Sequence, residues 1–427
     1  MTRRNAIPIS GGLLTIVVLL CGHLGHTAPA AGFVRVSGRS FLDANGKPLI
    51  LHGINMVNKR RQGADPVEAD FDAVRGWGMN CVRLGFVWDG VEPEPGKIDS
   101  AYIDRIARLV ELAKARGLYV VLDMHQDLYS AKFGDGAPAW ATLDDGKPHT
   151  RGNPWSDAYY ASEAVHASLD HFWANQDASD GLGLQEHYAQ AWQALAKRFA
   201  GEPWVVGYDI MNEPPPGEDF RRARDAGVAG LAPQGKPEAL MVGPDAHKQF
   251  LELMQDAKAY GAMLDKWAPL LQAWERTRLM PFYTRVAHAI RQVDSRHILV
   301  LEPGISSAHG VRTAITPLSD ANGKRDPQQA FSPHAYDITT DNAGVASSSD
   351  ARMDLIMAIH DHEARRLNMP MWVGEWGAFY NEASAAAMAR FTVGLYHRYG
   401  CGDAYWSYER RLASSPILPA LARPAPK

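Results

Sequence analysis

Cysteine is scarce in this chain: there are 3 among 427 residues, and Cys21 lies in an N-terminal stretch with the features of a removable leader. Cys81 and Cys401 are too few for a disulfide framework and have no zinc-ligand spacing. One bridge between them is allowed, and two buried thiols are the favoured reading. Long apolar runs are scarce as well. Leu13–Cys21 is apolar but for Thr15 and far shorter than the roughly 20 residues that span a bilayer. Arg3 and Arg4 precede it, and Thr27-Ala28-Pro29-Ala30-Ala31 follows with Ala-x-Ala at a suitable cleavage point. Residues 1–30 therefore read as a secretory signal peptide, and the mature chain as secreted or periplasmic. Leu20, bulky where a small residue is usual, argues against lipid anchoring at Cys21. An excess of basic charge is also missing: 44 basic residues stand against 48 acidic ones, with no long block of either sign. That excludes the footprint of a nucleic-acid binder. The absence of Gly-x-Ser-x-Gly, Gly-x-Gly-x-x-Gly and a P-loop removes the serine-hydrolase elbow, dinucleotide binding and phosphoryl transfer.

What is present is apolar and aromatic. With 46% hydrophobic residues, 12 Trp, 15 Tyr and 13 Phe, the chain is globular and buries a large core. Short Val/Ile/Leu/Tyr-rich runs ending in polar residues or glycine recur eight times and read as strands buried on both faces. They are 49–56, 80–86, 119–125, 205–213, 297–303, 330–337, 371–377 and 402–408. Helix-period segments lie between most of them, near 64–78, 101–117, 185–200, 280–294, 351–368 and 382–399. In the second, Ile103, Ile106, Leu109, Val110 and Ala113 make one stripe and Gly117 is the stop. The fold class is α/β, a single (β/α)8 barrel over residues 31–427, with active groups expected at strand ends. Short hairpins over 33–43 should close the bottom of the barrel. Two connections, 126–184 after the third strand and 214–279 after the fourth, far exceed ordinary loops of roughly 4–6 residues and are candidate site walls. After the eighth strand, residues 409–427 leave room for a short helix and no second domain.

The strand ends carry Asn55, Lys59, Arg83, His125, Asp127, Asn212, Glu213, Glu302, His334, Tyr336, Glu375 and Trp406. That set, without a metal cluster or phosphate loop, suits acid/base or covalent chemistry on a neutral polyhydroxy substrate, with no cofactor and no metal. Glu213 and Glu375 end the fourth and seventh strands and should meet across the barrel mouth, as glycoside hydrolysis requires of two carboxyls. A separation of about 5–5.5 Å would mean retention and one of about 6.5–9.5 Å inversion. Strict alternation would point Asn212 and Glu213 to opposite faces, but Pro214-Pro215-Pro216 breaks the strand and lets both turn inward. Glu302, followed by Pro303-Gly304, reads as a structural or outer-subsite residue, and His360 and His362 as surface residues on a helix.

Leu51-His-Gly-Ile-Asn55, Asn80-Cys-Val-Arg83-Leu, Met211-Asn212-Glu213-Pro, His334-Ala-Tyr336 and Gly374-Glu375-Trp-Gly occur in this order. Together they resemble the motif set of glycoside hydrolase family 5. Gly53-Ile-Asn55-Met-Val-Asn-Lys59, Leu122-Asp-Met-His125-Gln-Asp127-Leu-Tyr-Ser130 and Asp209-Ile-Met-Asn212-Glu213-Pro resemble its endoglycoceramidase branch. The resemblance implies a retaining enzyme with Glu213 as acid/base and Glu375 as nucleophile. Arg83 and Tyr336 would hold the nucleophile, His334 would stand near the acid/base, and Asn212 would bind the sugar 2-hydroxyl. Lys59, His125 and Asp127 would grip the first sugar above Trp406 as its platform. The reaction implied is release of an intact glycan by cutting the β-glucosyl–ceramide bond of a glycosphingolipid, with transient contact at lipid aggregates or a membrane surface.

The chain departs from that branch in lacking, after the barrel, the β-sandwich that many members carry. Its 214–279 connection is rich in Phe250, Leu251, Leu253, Met254, Tyr260, Met263, Leu264, Trp267, Leu270 and Leu271, from which a helical flap lining an apolar channel is expected. An endo-β-1,4-glucanase or β-mannanase, with an open polar cleft and no need of Lys59 and Asp127, is the alternative within the class. A catalytically silent carbohydrate-binding barrel is the alternative outside it.

Overall fold

The computed structural model describes residues 32–229, 252, 254–320, 322–340, 348–379 and 382–423. The expected signal peptide, and Phe250, Leu251 and Leu253 of the expected flap, lie outside them. Two short antiparallel pairings open the fold: β1 (Arg35–Ser37) with β2 (Ser40–Leu42), and β2 with β3 (Pro48–Leu49). The barrel follows as β4 (His52–Val57), β5 (Cys81–Val87), β6 (Tyr119–His125), β7 (Val205–Asp209), β8 (Ile298–Leu301), β9 (Gln329–Phe331), β10 (Trp372–Gly377) and β11 (Gly402–Trp406). All neighbours pair in parallel in chain order, β11 returns to β4, and the bridges Phe331–Met371 and Ala335–Trp376 close the ring between β9 and β10. Val34, Phe41 and Leu51 pack with Cys81, Val121, Val206, Ile298 and Trp372, so the hairpins plug the barrel floor as expected. Cys81 and Cys401 are buried free thiols.

Helices follow where the apolar stripes put them. Ser100–Lys114 starts at Asp99, whose carboxylate accepts from the Tyr102 N–H, and its stripe of Ile103, Ile106, Leu109, Val110 and Ala113 is wholly buried. The helices Glu68–Gly76, Leu184–Phe199, Met280–Arg291, Asp350–Leu367 and Ala386–Tyr399 complete the outer layer. After β11 come a short 3-10 helix, Arg410–Ser414, and the short helix Leu418–Leu421 among the described residues. None of the described helices is long and apolar enough to cross a membrane.

Four strands end earlier than their apolar runs suggest, β11 at Trp406 among them. β7 stops at Asp209, four residues before Glu213. β9 stops at Phe331 because Pro333 has no N–H to offer the ladder, although Ala335 rejoins it as a single bridge. Pro303 likewise closes the run that β8 begins. Both long connections carry helices among the described residues. The first carries Glu163–Trp173, and the second carries Ala257–Trp274, which runs through a π turn, Glu275–Leu279, directly into Met280–Arg291. The buried Glu275 carboxylate in that π turn accepts from the Gly304 and Ala314 N–H groups and from the Thr313 hydroxyl, tying the rod to the loop after β8.

The expected flap is corrected here. Met254, Tyr260, Met263, Leu264 and Leu271 are buried in the main core, and Leu270 is exposed. Of the named residues that are described, Trp267 alone lines the cleft. A long amphipathic helix beside a barrel buries its stripe against the barrel first, leaving only its edge for a ligand.

Candidate active site

The cleft at the carboxyl ends of the strands has a cavity volume of about 240 Å³. Lys59, His125, Asp127, Asn212, Glu213, Tyr336, Glu375 and Trp406 line it. Arg83 and His334 lie just beneath, so the ten residues to which the resemblance gave roles converge on one place.

Arg83 is the centre of the floor. It is fully buried and sits within 3.1 Å of Asp123, 2.9 Å of Asp209, 2.8 Å of Glu302 and 2.7 Å of Glu375. It also donates to Asn55 Oδ1 at 3.1 Å and Asn212 Oδ1 at 2.9 Å. Burial opposes the charge on Arg83, but the carboxylates around it hold its pKa well above the ordinary arginine value. Burial, with the charge of Glu302 next, pushes Asp209 well above the ordinary carboxylate range, opposed by the charge of Arg83.

Glu375 accepts from Arg83 Nη1 through one oxygen and from the Tyr336 hydroxyl, at 3.0 Å, through the other. Burial raises its pKa above the ordinary glutamate value, opposed by the charges of His334 and Arg83. Gly374, just before it, is required by crowding: a Cβ there would lie 2.7 Å from Ser332 Oγ and 3.1 Å from His334 Nε2.

Glu213 reaches the cleft by a twist of its backbone. Its φ of 41° is left-handed, which costs a residue with a Cβ roughly 1–2 kcal/mol. The surroundings hold that conformation: its N–H donates to Glu302 Oε2 at 2.8 Å, and its carbonyl accepts from Gln126 Nε2 at 3.1 Å. Pro214 O accepts from the Ile305 N–H at 3.1 Å, and Pro215 O from Trp173 Nε1 at 2.8 Å. The broken strand therefore does turn both Asn212 and Glu213 inward. His334 Nδ1 lies 2.8 Å from Glu213 Oε1 and 3.6 Å from Glu375 Oε2, and one oxygen of each glutamate lies within 4.8 Å of the other. That spacing belongs to the close, retaining arrangement of two carboxyls, with no gap for a water between them.

A second cluster stands beside the first. Lys59 Nζ donates to Asp127, lies 3.9 Å from Asp135, and sits 4.8 Å above the Trp406 ring and 5.9 Å from that of Trp155. His125 Nδ1 donates to Asp123 Oδ2 at 2.8 Å and stacks on Trp406 with centroids 5.3 Å apart and planes 12° from parallel. Burial works against the His125 cation, but Asp123 raises its pKa to about 10. Burial likewise works against the Asp127 carboxylate, yet Lys59 and His125 lower its pKa to about 2, while burial and the charge of Asp127 raise Asp135 to about 7. His125, Asp127 and Asp135, like Glu213, His334 and Glu375, bring ligand-type atoms within 4.8 Å of one another. In the first trio the Lys59 ammonium already bridges the acids, and in the second His334 itself lies between the two glutamates, with Arg83 on Glu375.

Of the two readings left open for Glu302 the structural one holds: it is buried, with Arg83, His334 and the Glu213 N–H on its carboxylate. One expectation is corrected. His360 is buried rather than on the surface and places Nε2 3.0 Å from the His334 carbonyl, whereas His362 is exposed. Asp123, Asp209 and Asp135 went unrecognised in the sequence. The signal for the first two was an acid inside an apolar run, at the inward positions of Leu122-Asp123-Met124-His125 and Tyr208-Asp209-Ile210. The two long connections do wall the cleft as expected, but their residues Trp155, Tyr159, Tyr160 and Phe220 were not named, nor were Ile305 and Ala308 of the loop after β8. The sequence signal of this wall is the aromatic group Trp155…Tyr159-Tyr160 in the first long connection.

Residues 42–411 match the family described as cellulase, glycosyl hydrolase family 5. Endoglycoceramidase I of Rhodococcus hoagii (strain 103S) is 36% identical over 192 residues, which is 44% of this chain and 38% of that protein. The endoglycoceramidase of Cyanea nozakii is 29% identical over 248 residues, 50% of this chain and 48% of that one. The chain thus spans less than half the length of these two curated relatives. Among solved structures, endo-glycoceramidase II from Rhodococcus sp. in its ganglioside GM3 complex superposes with a TM-score of 0.68 at 27% identity, over 90% of this chain and 81% of that one. The same protein in a cellobiose-like imidazole complex gives a TM-score of 0.65 at 30% identity, over 86% and 75%.

Proposed function

We propose that this chain, which belongs to glycosyl hydrolase family 5, is a retaining β-glycosidase that cuts the bond between a glucosyl residue and the lipid of a glycosphingolipid. The observation that carries the reading is the pair Glu213 and Glu375, within 4.8 Å of each other on the rim of one cleft. Glu375, held by Arg83 and Tyr336, attacks the anomeric carbon from one side of the sugar ring. Glu213, in its protonated form, gives its proton to the leaving oxygen, so that glycosyl transfers to Glu375 and the lipid alcohol departs. Water then enters, Glu213 takes its proton, and the sugar–Glu375 ester breaks with the original anomeric configuration restored. Asn212, already bonded to Arg83, offers polar contact to the sugar 2-hydroxyl, a contact that strengthens as charge develops at the neighbouring anomeric carbon.

Selectivity follows from the two ends of the cleft. Lys59, Asp127 and His125 over Trp406 supply hydrogen bonds and an aromatic face for the first sugar, a combination suited to a pyranose. Phe220, Trp267, Ile305 and Ala308 supply apolar surface for a lipid. The likeness to endoglycoceramidases, one of them solved with ganglioside GM3, supports the same substrate class. Export by the leader at residues 1–30 belongs to this reading, since such lipids face the outside of cells.

The test offers the purified chain a lactosyl-linked glycosphingolipid and a soluble β-1,4-glucan, with products identified by mass. Free ceramide together with intact lactose is expected. Cleavage of the glucan alone would replace this reading with that of an endoglucanase.

A further inference from the structure

Glu302 lies directly beneath the reacting groups, with 2% of its surface exposed, and different elements engage each of its polar atoms. Oε1 accepts from Arg83 Nη2 at 2.8 Å and stands 3.1 Å from His334 Nε2, an ion-pair contact whose angle falls short of a hydrogen bond. Oε2 accepts from the Glu213 N–H at 2.8 Å. Its backbone carbonyl accepts from the Tyr283 hydroxyl at 2.8 Å, which fixes the main chain from the helix layer. The charged and titratable groups grouped with it around Arg83 are Asp123 on β6, Asp209 on β7 and Glu375 on β10, with His334 beyond β9.

One carboxylate therefore touches both halves of the machinery. On the nucleophile side it shares the guanidinium that holds Glu375. On the acid/base side it receives the N–H of a glutamate in a left-handed conformation, a charge-assisted bond that keeps Glu213 from relaxing out of the cleft. Between the halves it faces the ring of His334, whose other nitrogen faces Glu213 and Glu375. We propose that Glu302 is a positioning residue that joins the two reacting carboxylates into one unit, fixing Glu213 through its backbone and orienting His334 between the pair. This rests on the acid/base and nucleophile reading above. The charge, and not shape alone, is required. A glutamine in the same place has one acceptor oxygen and a donor group, and cannot accept from both Arg83 and Glu213 while facing a cationic ring. Burial disfavours the His334 cation, but Glu302 and Glu375 raise its pKa well above the ordinary histidine value, in keeping with this arrangement.

The experiment compares the full chain with Glu302→Gln and Glu302→Asp, each checked for folding by circular dichroism. Hydrolysis of phenyl β-lactoside, whose leaving group needs a proton, is measured against 2,4-dinitrophenyl β-lactoside, whose leaving group does not. The His334 ring is followed by 15N NMR. Glu302→Gln is expected to lower kcat/KM about 100-fold on the phenyl substrate and by less than about tenfold on the dinitrophenyl one. It should also shift the His334 titration to lower pH. Glu302→Asp, with the charge kept and the reach shortened, should retain the phenyl-selective loss and leave the titration in place. Equal losses on both substrates, or an unmoved His334 titration in Glu302→Gln, would overturn the proposal. If Glu302→Gln does not fold, the substrate ratio of Glu302→Asp decides. If the wild-type chain cleaves neither lactoside, the glycosidase reading fails, while the His334 titration still tests the coupling.

Discussion

The floor and the wall of the cleft are built from different material. The floor consists of strand ends and carries the charges: Arg83 binds four carboxyl groups, His334 spans two glutamates, and Glu375 has a donor on each oxygen. The wall comes from the two long connections and the loop after β8, and its contacts are those of Trp155, Tyr160, Phe220, Trp267 and Ile305. Proton transfer and nucleophilic attack tolerate errors of a fraction of an ångström, so their groups sit on a sheet and lock one another. An alkyl chain asks only for apolar area, which helices and loops supply without exact register.

That contrast can be broken in four places. The largest effect is expected at Glu375→Ala, which should cost at least about 10⁴-fold in kcat on every substrate, read by steady-state kinetics. Unchanged activity would remove the double-displacement mechanism. Next, Arg83→Met leaves the surrounding carboxylates without their cation and should destabilise the fold by about 3–5 kcal/mol in urea unfolding. A loss under ~1 kcal/mol would mean that the floor carries no such tension. On the wall, Trp267→Ala or Phe220→Ala should lower kcat/KM on the glycosphingolipid by roughly 10- to 100-fold, one to two large apolar contacts. Hydrolysis of an aryl lactoside should stay nearly constant; equal losses on both would make the wall mere packing.

The smallest effect concerns Asp135, whose pKa is raised from 3.8 to about 7 by burial and by Asp127. The folded state then binds a proton that the unfolded state releases. This contribution to stability is fully present below about pH 4 and is lost as pH rises through about 7. Asp135→Asn should flatten that part of the stability–pH curve and raise the melting temperature at pH 8 by roughly 1–2 °C, as ~1 kcal/mol would in a chain of this length. An identical slope in the variant would place the proton elsewhere.

Much of the floor could be read from the chain because its residues lie on the strands or just past them, where period and Pro/Gly stops are local signals. Glu213, Glu375, Arg83, His334 and Tyr336 were all named from such positions. Glu302 was named with two readings left open, since Pro303-Gly304 describes a turn and says nothing of what the preceding carboxylate faces. The wall was less legible. The stripe around Met263 and Leu264 looks the same whether it meets a lipid or the barrel, and it meets the barrel. His360 shows the same limit, because a histidine on an amphipathic helix has no local mark of burial.

The sequence by itself determined the alternation of strand and helix, the eightfold count and the chemical identity of the groups at the rim. Those follow from periodicity and stop residues, which act over a few positions. The tertiary structure alone decided which acids share Arg83, how far Glu213 stands from Glu375, and which side of the long helix is left for a ligand. Arg83 and Glu375 are 292 positions apart, and their 2.7 Å contact depends on closure of the whole ring. Charge pairing and burial at that range depend on every strand between them, and no local pattern records the result.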